Sequence, residues 1–205
     1  MQGEIEKQFY SQGFKTIIGI DEAGRGPLAG PVVACALFAP ESLLIPGIND
    51  SKKLTEKKRE ELFFILTTHP EIDYGVGIVS HEEIDQINIL QATFLAFTKA
   101  IEGLTVRPEV LLFDGPHFPK LPIPSQGIIK GDSKSQLIGA ASIIAKVTRD
   151  QMMVEMDKLY PGYGFAGHKG YGTKIHREAI QRLGPCPIHR KSFEPIKSLT
   201  SKVLT

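Results

Sequence analysis

Four acidic residues of this 205-residue chain stand directly after short apolar segments that are typical of buried strands. They are Asp21 and Glu22 after TIIGI, Asp114 after VLLF, and Asp132 after GIIKG. A carboxylate just beyond a buried strand lies at the edge of the sheet, where ligand-binding clefts of α/β folds form. Carboxylates gathered in one place repel each other unless cations lie between them, and oxygen ligands suit Mg²⁺ or Mn²⁺. The pattern predicts a divalent-metal site at this edge, although each acid taken alone is also compatible with an ordinary turn.

The neighbours Asp21 and Glu22 need a special backbone if both serve one site. Side chains alternate between the two faces of a regular strand, so consecutive residues point apart. We therefore expect the strand to break at Glu22, with Gly24 and Gly26 supplying the backbone freedom for the break.

A glycine-rich segment, GRGPLAG at 24–30, follows these acids. It is not a dinucleotide-binding fingerprint, because Pro27 follows the second glycine and the third glycine comes one place late. It is not a P-loop either, since no Gly-Lys-Ser/Thr ends it. We interpret the segment as backbone N–H and C=O groups that can approach a ligand closely, with Arg25 beside them for a phosphate.

Five strands and four helices are predicted around these residues from the spacing of apolar and turn residues. The strands are expected at 16–20, 31–39, 74–79, 109–113 and 126–129, and the helices at 56–66, 80–103, 133–160 and 173–183. A further helix is possible near the C-terminal end. Thr55 is the expected N-cap of the first helix, and the dipole of the third helix favours an ionised Asp132. This order predicts a mixed α/β domain whose last third is mainly helical.

The composition is globular, and the charge is unevenly distributed. Hydrophobic residues make up 41% and charged residues 23%, which argues against a disordered or fibrous chain. No run approaches the ~18–20 apolar residues of a membrane span, the first residues do not resemble a secretory signal, and two cysteines are too few for a disulfide scaffold. We therefore expect no membrane partner and a cytoplasmic location.

The net charge of +1 conceals two regions of opposite sign. Residues 1–129 carry 11 Lys and Arg against 17 Asp and Glu, whereas residues 130–205 carry 13 against 6. A basic third of this kind is typical of a protein with a polyanionic partner, but also of solvated helix surfaces.

Six blocks, in order, resemble bacterial ribonuclease HII of the type 2 ribonuclease H family. They are DEAGRGPLAGPV at 21–32, NDSKKL at 49–54, FDG at 113–115, KGDSKSQLIGAASIIAKVTRD at 130–150, HKGYGTKIH at 168–176 and PIHRKSFEP at 187–195. The resemblance spans about residues 19–195. The related ribonuclease HIII usually has an additional N-terminal domain and a different glycine motif, so HII is the better match.

The resemblance implies a ribonuclease H-like fold, in which a central mixed β-sheet is flanked by helices. A single catalytic domain would cover 1–205, with the sheet and core helices at about 16–160 and a helical, substrate-binding C-terminal part at about 161–205. The implied catalytic and metal-binding residues are Asp21, Glu22, Asp114 and Asp132. The implied substrate-binding residues are Gly24, Arg25 and Gly26, which would read the ribose 2′-OH, and Tyr171. Lys52 is expected to contact a phosphate, or else to be a solvated loop lysine.

The implied activity is hydrolysis of the phosphodiester on the 5′ side of ribonucleotides in RNA/DNA hybrids, and of single ribonucleotides embedded in duplex DNA. Two metal ions, Mg²⁺ or Mn²⁺, would catalyse it and leave 5′-phosphate and 3′-hydroxyl ends. A monomer is expected, and no clear motif supports a sliding-clamp partner. The alternatives are a non-catalytic duplex-binding protein, or another two-metal nuclease or integrase of the same fold.

Four further residues remain open at this stage. Lys146 lies in a predicted buried helix and is either structural or functional. His168, His176 and His189 lack zinc-finger spacing, so we interpret them as surface or core histidines.

Overall fold

The computed structural model describes residues 3–43, 45–48 and 54–201. Within these ranges, a five-stranded mixed sheet has the strand order β3-β2-β1-β4-β5. The strands are β1 (Ile17–Ala23), β2 (Val32–Phe38), β3 (Asp73–Val79), β4 (Val110–Asp114) and β5 (Ser125–Ile128). β2 is antiparallel to β1 and β3, whereas β4 is parallel to β1 and β5. The predicted strands and the mixed α/β class are confirmed.

The helices flank the sheet and dominate the C-terminal third. They are α1 (Glu4–Ser11), α2 (Glu56–Thr68), α3 (His81–Glu102), α4 (Gln136–Leu159), α5 (Phe165–His168), α6 (Lys174–Leu183) and α7 (Ile196–Ser201). The predicted N-cap is confirmed, because the Thr55 hydroxyl accepts the Lys58 N–H at the start of α2. No helix in the described part of the chain has both the length and the apolar character needed to cross a membrane.

The start of α4 differs from the prediction. Gly131–Ser133 form a separate 3₁₀ turn, and Ser135 caps α4 by accepting the Ile138 N–H. Asp132 therefore lies in the turn before the helix, outside the first helical turn where the dipole acts most strongly.

The course of β1 also corrects an expectation. The strand does not break at Glu22, because Asp21, Glu22 and Ala23 stay paired with β2. The pairing with β4, however, ends at Ile20. The edge of β1 that faces β4 is thus unpaired in the ladder beyond Ile20, and this is where the two acids lie. The strand ends at Ala23, and the loop begins at Gly24, two residues after the expected break at Glu22.

Among the described residues, three hydrophobic clusters form the core. α4 and α2 cover one face of the sheet, and α3 covers the other. The third cluster lies in the C-terminal third, around Phe165 and Ile180, and includes Leu28 and Ala29 from the loop after β1. The C-terminal third is therefore packed directly against the glycine-rich loop.

Gly19 in β1 allows α4 to lie against the sheet. A Cβ atom at this position would lie 2.2 Å from the Leu137 carbonyl carbon and 2.4 Å from the Ile138 nitrogen. Both distances are shorter than any van der Waals contact, and both partners are backbone atoms that cannot rotate away. The close approach matters for the site because Gly19 lies two residues before Asp21.

We predict that Gly19→Ala lowers the free energy of unfolding by about 1–3 kcal/mol or more, because the added methyl group forces α4 away from β1. Urea unfolding of the purified protein measures this. Gly167→Ala is the matched control, since a Cβ atom there meets nothing within 4 Å, and it should change stability by less than about 1 kcal/mol. Equal unfolding midpoints for the two variants would contradict the packing argument.

Candidate active site

A cleft of ≈310 Å³ opens at the end of β1. Its lining combines acidic, glycine and basic positions from three parts of the chain. They are Asp21, Glu22, Ala23, Gly24, Arg25, Gly26, Ser142, Lys146 and Tyr171. Six of the nine sequence-predicted site residues thus line one cleft. Of the other three, Asp114 is close enough to act on the Asp21 carboxyl, and Asp132 follows Gly131, whose amide is bonded to Asp114. Lys52 is outside the described residues.

Asp21 is the most buried of the four acids, with 4% of its surface exposed. Burial, and then the negative charges of Glu22 and Asp114, raise the pKa of its carboxyl well above the usual range. Two donors oppose this shift: the Ser142 hydroxyl, and the Glu22 N–H at 2.7 Å from Asp21 Oδ1. The side chain is therefore held in place, but its negative charge is poorly compensated.

Asp114 and Asp132 are held next to each other by the turn after β5. Asp114 ends β4, and its Oδ1 accepts the N–H of Gly131 at 2.6 Å. Asp132 directly follows Gly131 in the chain and is 7% exposed. The fold thus gathers acids from β1, β4 and the 3₁₀ turn at one end of the sheet.

The acids do not stand in a ready-made coordination group. Among the described residues, no three His, Cys, Asp or Glu side chains are grouped so that they could hold a metal ion. The Glu22 carboxylate points toward Arg25, 3.4 Å from its Nη1, and Asp114 is bonded to the Gly131 amide. Joint binding of a cation would require these side chains to turn toward Asp21.

The chemistry of the donor set still fits a divalent cation. All four ligand candidates supply carboxylate oxygens, the ligands that Mg²⁺ and Mn²⁺ prefer. A buried carboxylate whose pKa is raised by neighbouring acids is stabilised in its ionised form by a nearby positive charge.

Two buried arginines fix the shape of the glycine-rich loop. Arg149 is 1% exposed and Arg190 is 0% exposed. Their guanidinium groups donate to backbone carbonyls: Arg149 to Ala29, Pro31 and Lys169, and Arg190 to Gly24, Arg25, Gly30 and Pro31. Burial lowers the pKa of Arg149 to about 10 and that of Arg190 to about 9.

Gly24 has to be a glycine in this arrangement. Its φ is +103°, and a Cβ atom would lie 2.2 Å from Arg149 Nε and 2.7 Å from the Pro31 carbonyl oxygen. The carbonyls of Gly24 and Arg25 are bonded to Arg190 inside the protein. The Arg25 side chain, in contrast, is 47% exposed and is free to reach solvent beyond Glu22.

Tyr171 stands opposite the glycines. Its ring lies 3.7 Å from the position of a Cβ atom at Gly26 and 6.0 Å from the Arg149 guanidinium carbon. It is 43% exposed, so its ring is available to a ligand. Lys146, also in the cleft, donates to Asp150 Oδ1 at 2.7 Å, which gives it a structural partner.

Sequence reasoning missed Ser142, Arg149 and Arg190 as residues of the site. Ser142 and Arg149 lie in the block that resembled the family, and Arg190 follows His189 in another such block. Nothing in their types or spacing indicated that they contact Asp21 or the glycine-rich loop. Two of the three histidines that were interpreted as surface or core residues lie in the core: His176 is 0% exposed and His189 is 1% exposed.

Comparison with known proteins identifies a family. The sequence profile of the family described as Ribonuclease HII matches residues 18–196. Ribonuclease HII of Chlamydia pneumoniae is 52% identical over 199 residues, covering 97% of this chain and 92% of the relative. Ribonuclease HII of Citrifermentans bemidjiense is 58% identical over 194 residues, covering 94% and 84%.

Solved structures share the fold. Ribonuclease H2 from Pyrococcus horikoshii superposes with a TM-score of 0.77 at 28% identity, covering 93% of this chain and 99% of that one. The ribonuclease HII of Archaeoglobus fulgidus, solved in complex with PCNA, superposes with a TM-score of 0.72 at 26% identity, covering 87% of this chain and 95% of that one. Bst-RNase HIII in complex with Mn²⁺ superposes with a TM-score of 0.70 at 17% identity, covering 92% of this chain and 70% of that one. At this identity the comparison shows only that the two proteins share a fold. The expected ribonuclease H-like fold is confirmed, and the chain belongs to the ribonuclease HII family of endoribonucleases.

Proposed function

We propose that this endoribonuclease hydrolyses the phosphodiester on the 5′ side of ribonucleotides, in RNA/DNA hybrids and at single ribonucleotides embedded in duplex DNA. The products are a 5′-phosphate and a 3′-hydroxyl. The observation that carries the proposal is the buried, poorly compensated Asp21 at the floor of a cleft whose rim is the glycine-rich loop.

Asp21, Glu22, Asp114 and Asp132 are the proposed ligands of Mg²⁺ or Mn²⁺. Two such ions would supply an activated water and stabilise the leaving 3′ oxygen. Asp21 would be the central residue of this ligand set, because the charges of Glu22 and Asp114 act on it directly. Ser142 and the Glu22 amide hold its carboxylate in place.

The glycine-rich loop and Tyr171 are proposed to select the ribonucleotide. The 2′-OH distinguishes RNA from DNA and can both donate and accept a hydrogen bond. Backbone groups at Gly24–Gly26 can contact it without side-chain bulk, while the Tyr171 ring packs on a neighbouring sugar. The exposed Arg25 guanidinium is positioned to contact a phosphate.

The duplex is proposed to dock on the C-terminal part of the chain, at about 161–205, where basic residues predominate. Lys52 stays a prediction for a phosphate contact. A monomeric enzyme is proposed. Cys35 and Cys186 are free thiols, which accords with the proposed cytoplasmic location.

Removal of the Asp21 charge should abolish cleavage. We predict that Asp21→Asn lowers the rate on a duplex with one embedded ribonucleotide by at least about 100-fold, since several kcal/mol of transition-state stabilisation depend on the bound cations. A gel assay with Mg²⁺ or Mn²⁺ measures the rate. Asp157→Asn, about 22 Å along α4 from Ser142, is the control and should cleave normally. Equal cutting of an all-DNA duplex by the wild type would refute the proposed substrate.

The same substitution should stabilise the metal-free protein. Because burial raises the pKa of Asp21, its ionisation lowers folding stability as the pH rises, and this effect is greatest at alkaline pH. We predict that Asp21→Asn raises the Tm of the metal-free protein at pH 9 by at least about 2 °C. Added Mn²⁺ should then raise the Tm of the wild type more than that of the variant. A variant that is less stable without metal, or equally stabilised by it, would contradict a cation site at Asp21.

Loss of the Tyr171 ring should affect selection rather than docking. We predict that Tyr171→Ala lowers kcat on the single-ribonucleotide duplex by about 10-fold or more, because the sugar is no longer positioned. Affinity for an all-DNA duplex, measured by fluorescence anisotropy, should change less than about twofold. If affinity falls as far as kcat, Tyr171 is a general docking residue and the selective role is wrong.

A further inference from the structure

Two buried histidines in the C-terminal core have no part in the chemistry described so far. His176 on α6 and His189 near the end of the chain, here called the histidine pair, place their Nε2 atoms 3.0 Å apart. Aromatic rings surround them: Phe165 stands edge-on to His176, and Tyr163 lies 5.3 Å from His189 between ring centroids. Two ring nitrogens at hydrogen-bond distance require one donor and one acceptor, so the positions of the protons can be derived.

The contact between His176 and Tyr171 determines which ring nitrogen of His176 carries the hydrogen. Its Nδ1 lies 2.9 Å from the carbonyl oxygen of Tyr171. A carbonyl oxygen can only accept, so Nδ1 carries the hydrogen and donates it. In a neutral ring Nε2 is then bare and accepts from His189.

The protons of His189 follow from those of His176. Because His176 Nε2 is bare, the hydrogen of a neutral His189 ring lies on Nε2 and is donated to His176 at 3.0 Å. His189 Nδ1 is then bare and accepts the backbone N–H of Cys186 at 2.9 Å, the shorter of its contacts with the Cys186 backbone, since the Cys186 carbonyl oxygen lies at 3.2 Å. The hydrogen bonds therefore run from the Cys186 amide to His189, from His189 to His176, and from His176 to Tyr171.

The pair resists a positive charge. A proton added to the bare Nε2 of His176 would face the Nε2–H of His189 at 3.0 Å, so that two donors would meet with no acceptor between them. Burial also lowers the pKa of each histidine to about 4. The chain of hydrogen bonds is therefore complete only in the neutral form, which is the form present at neutral pH.

The pair connects the two elements that face each other across the cleft. At one end it holds the backbone of Tyr171. At the other, His189 is followed by Arg190, whose guanidinium donates to the carbonyls of Gly24 at 2.6 Å and Arg25 at 3.1 Å. Ala29 in the same loop pairs with His189 as an isolated β-bridge.

We propose that His176 and His189 are positioning residues that hold Tyr171 at a fixed place relative to the Gly24–Gly26 backbone. The surface that reads the ribonucleotide is then formed before the substrate arrives, which spares the ordering of two separate elements on binding. This inference rests on the proposed role of Tyr171 in selection.

The first test reads the tautomers directly in the wild-type protein. Two-bond ¹H–¹⁵N correlation spectra at pH 7.5 should show His176 protonated on Nδ1 and His189 protonated on Nε2, both neutral. A His176 ring protonated on Nε2, or a positively charged ring, would overturn the proposal. No variant has to fold for this measurement.

The second test separates the hydrogen bond from packing. The side-chain amide of Asn can place an N–H near the position of His Nδ1, whereas Leu fills the space but cannot donate. We expect His176→Leu to lower kcat on the single-ribonucleotide duplex by about 10-fold and His176→Asn to recover part of the loss. Equal activity, or greater activity of the Leu variant, would show that His176 serves packing alone.

A double-variant cycle distinguishes failure of this inference from failure of the proposed function. If the pair acts through Tyr171, His176→Leu should lower kcat less than about twofold when Tyr171→Ala is already present. Additive losses would overturn the positioning role, whereas a Tyr171→Ala variant with normal selection would overturn the proposed function instead. Ile180→Val, which removes one methyl group from the same hydrophobic cluster and leaves both histidines in place, is the control and should keep kcat within about twofold.

Discussion

The burial of Asp21 beside other carboxylates is the constraint on which the site depends. An ionised group in this position is unfavourable without a cation, so the surrounding fold must hold it there. The close contact between α4 and β1 at Gly19 provides the rigid support, and the Ser142 hydroxyl from α4 fixes the carboxylate. Structural stability and chemical reactivity therefore oppose each other at one residue, as is common where function requires a charge inside a protein.

The C-terminal third completes the cleft instead of merely extending the domain. Arg149 and Arg190 donate six hydrogen bonds to backbone carbonyls at 24–31 from inside the protein, and the bonds to Gly24 and Arg25 fix that part of the loop beside the cleft. This changes the meaning of the charge distribution. Two of the 13 basic residues in 130–205, Arg149 and Arg190, are buried parts of the loop support, so they are not available to the proposed docking surface.

Local patterns predicted the strands, the longer helices and the Thr55 cap, because each depends on neighbours in sequence. The four acids were recognised because each follows an apolar strand. The paired course of β1 through Ala23 could not be derived, since it depends on β2 as a partner. The predicted strand at 74–79 contains two glycines, and α3 lies directly on them: a Cβ atom at Gly77 would lie 2.0 Å from the Ala96 carbonyl oxygen. The arginine and histidine contacts join residues far apart in sequence and carry no local signature.

The central claim is that the cleft selects a ribonucleotide and directs the cut to its 5′ side. The most direct measurement uses a set of duplexes of one sequence in which a single ribonucleotide occupies successive positions. Mapping of the product ends at single-nucleotide resolution should show a cut that moves with the ribonucleotide, always on its 5′ side, with a 3′-hydroxyl and a 5′-phosphate. A cut that stays at one sequence position, or that leaves a 2′,3′-cyclic phosphate, would contradict the account.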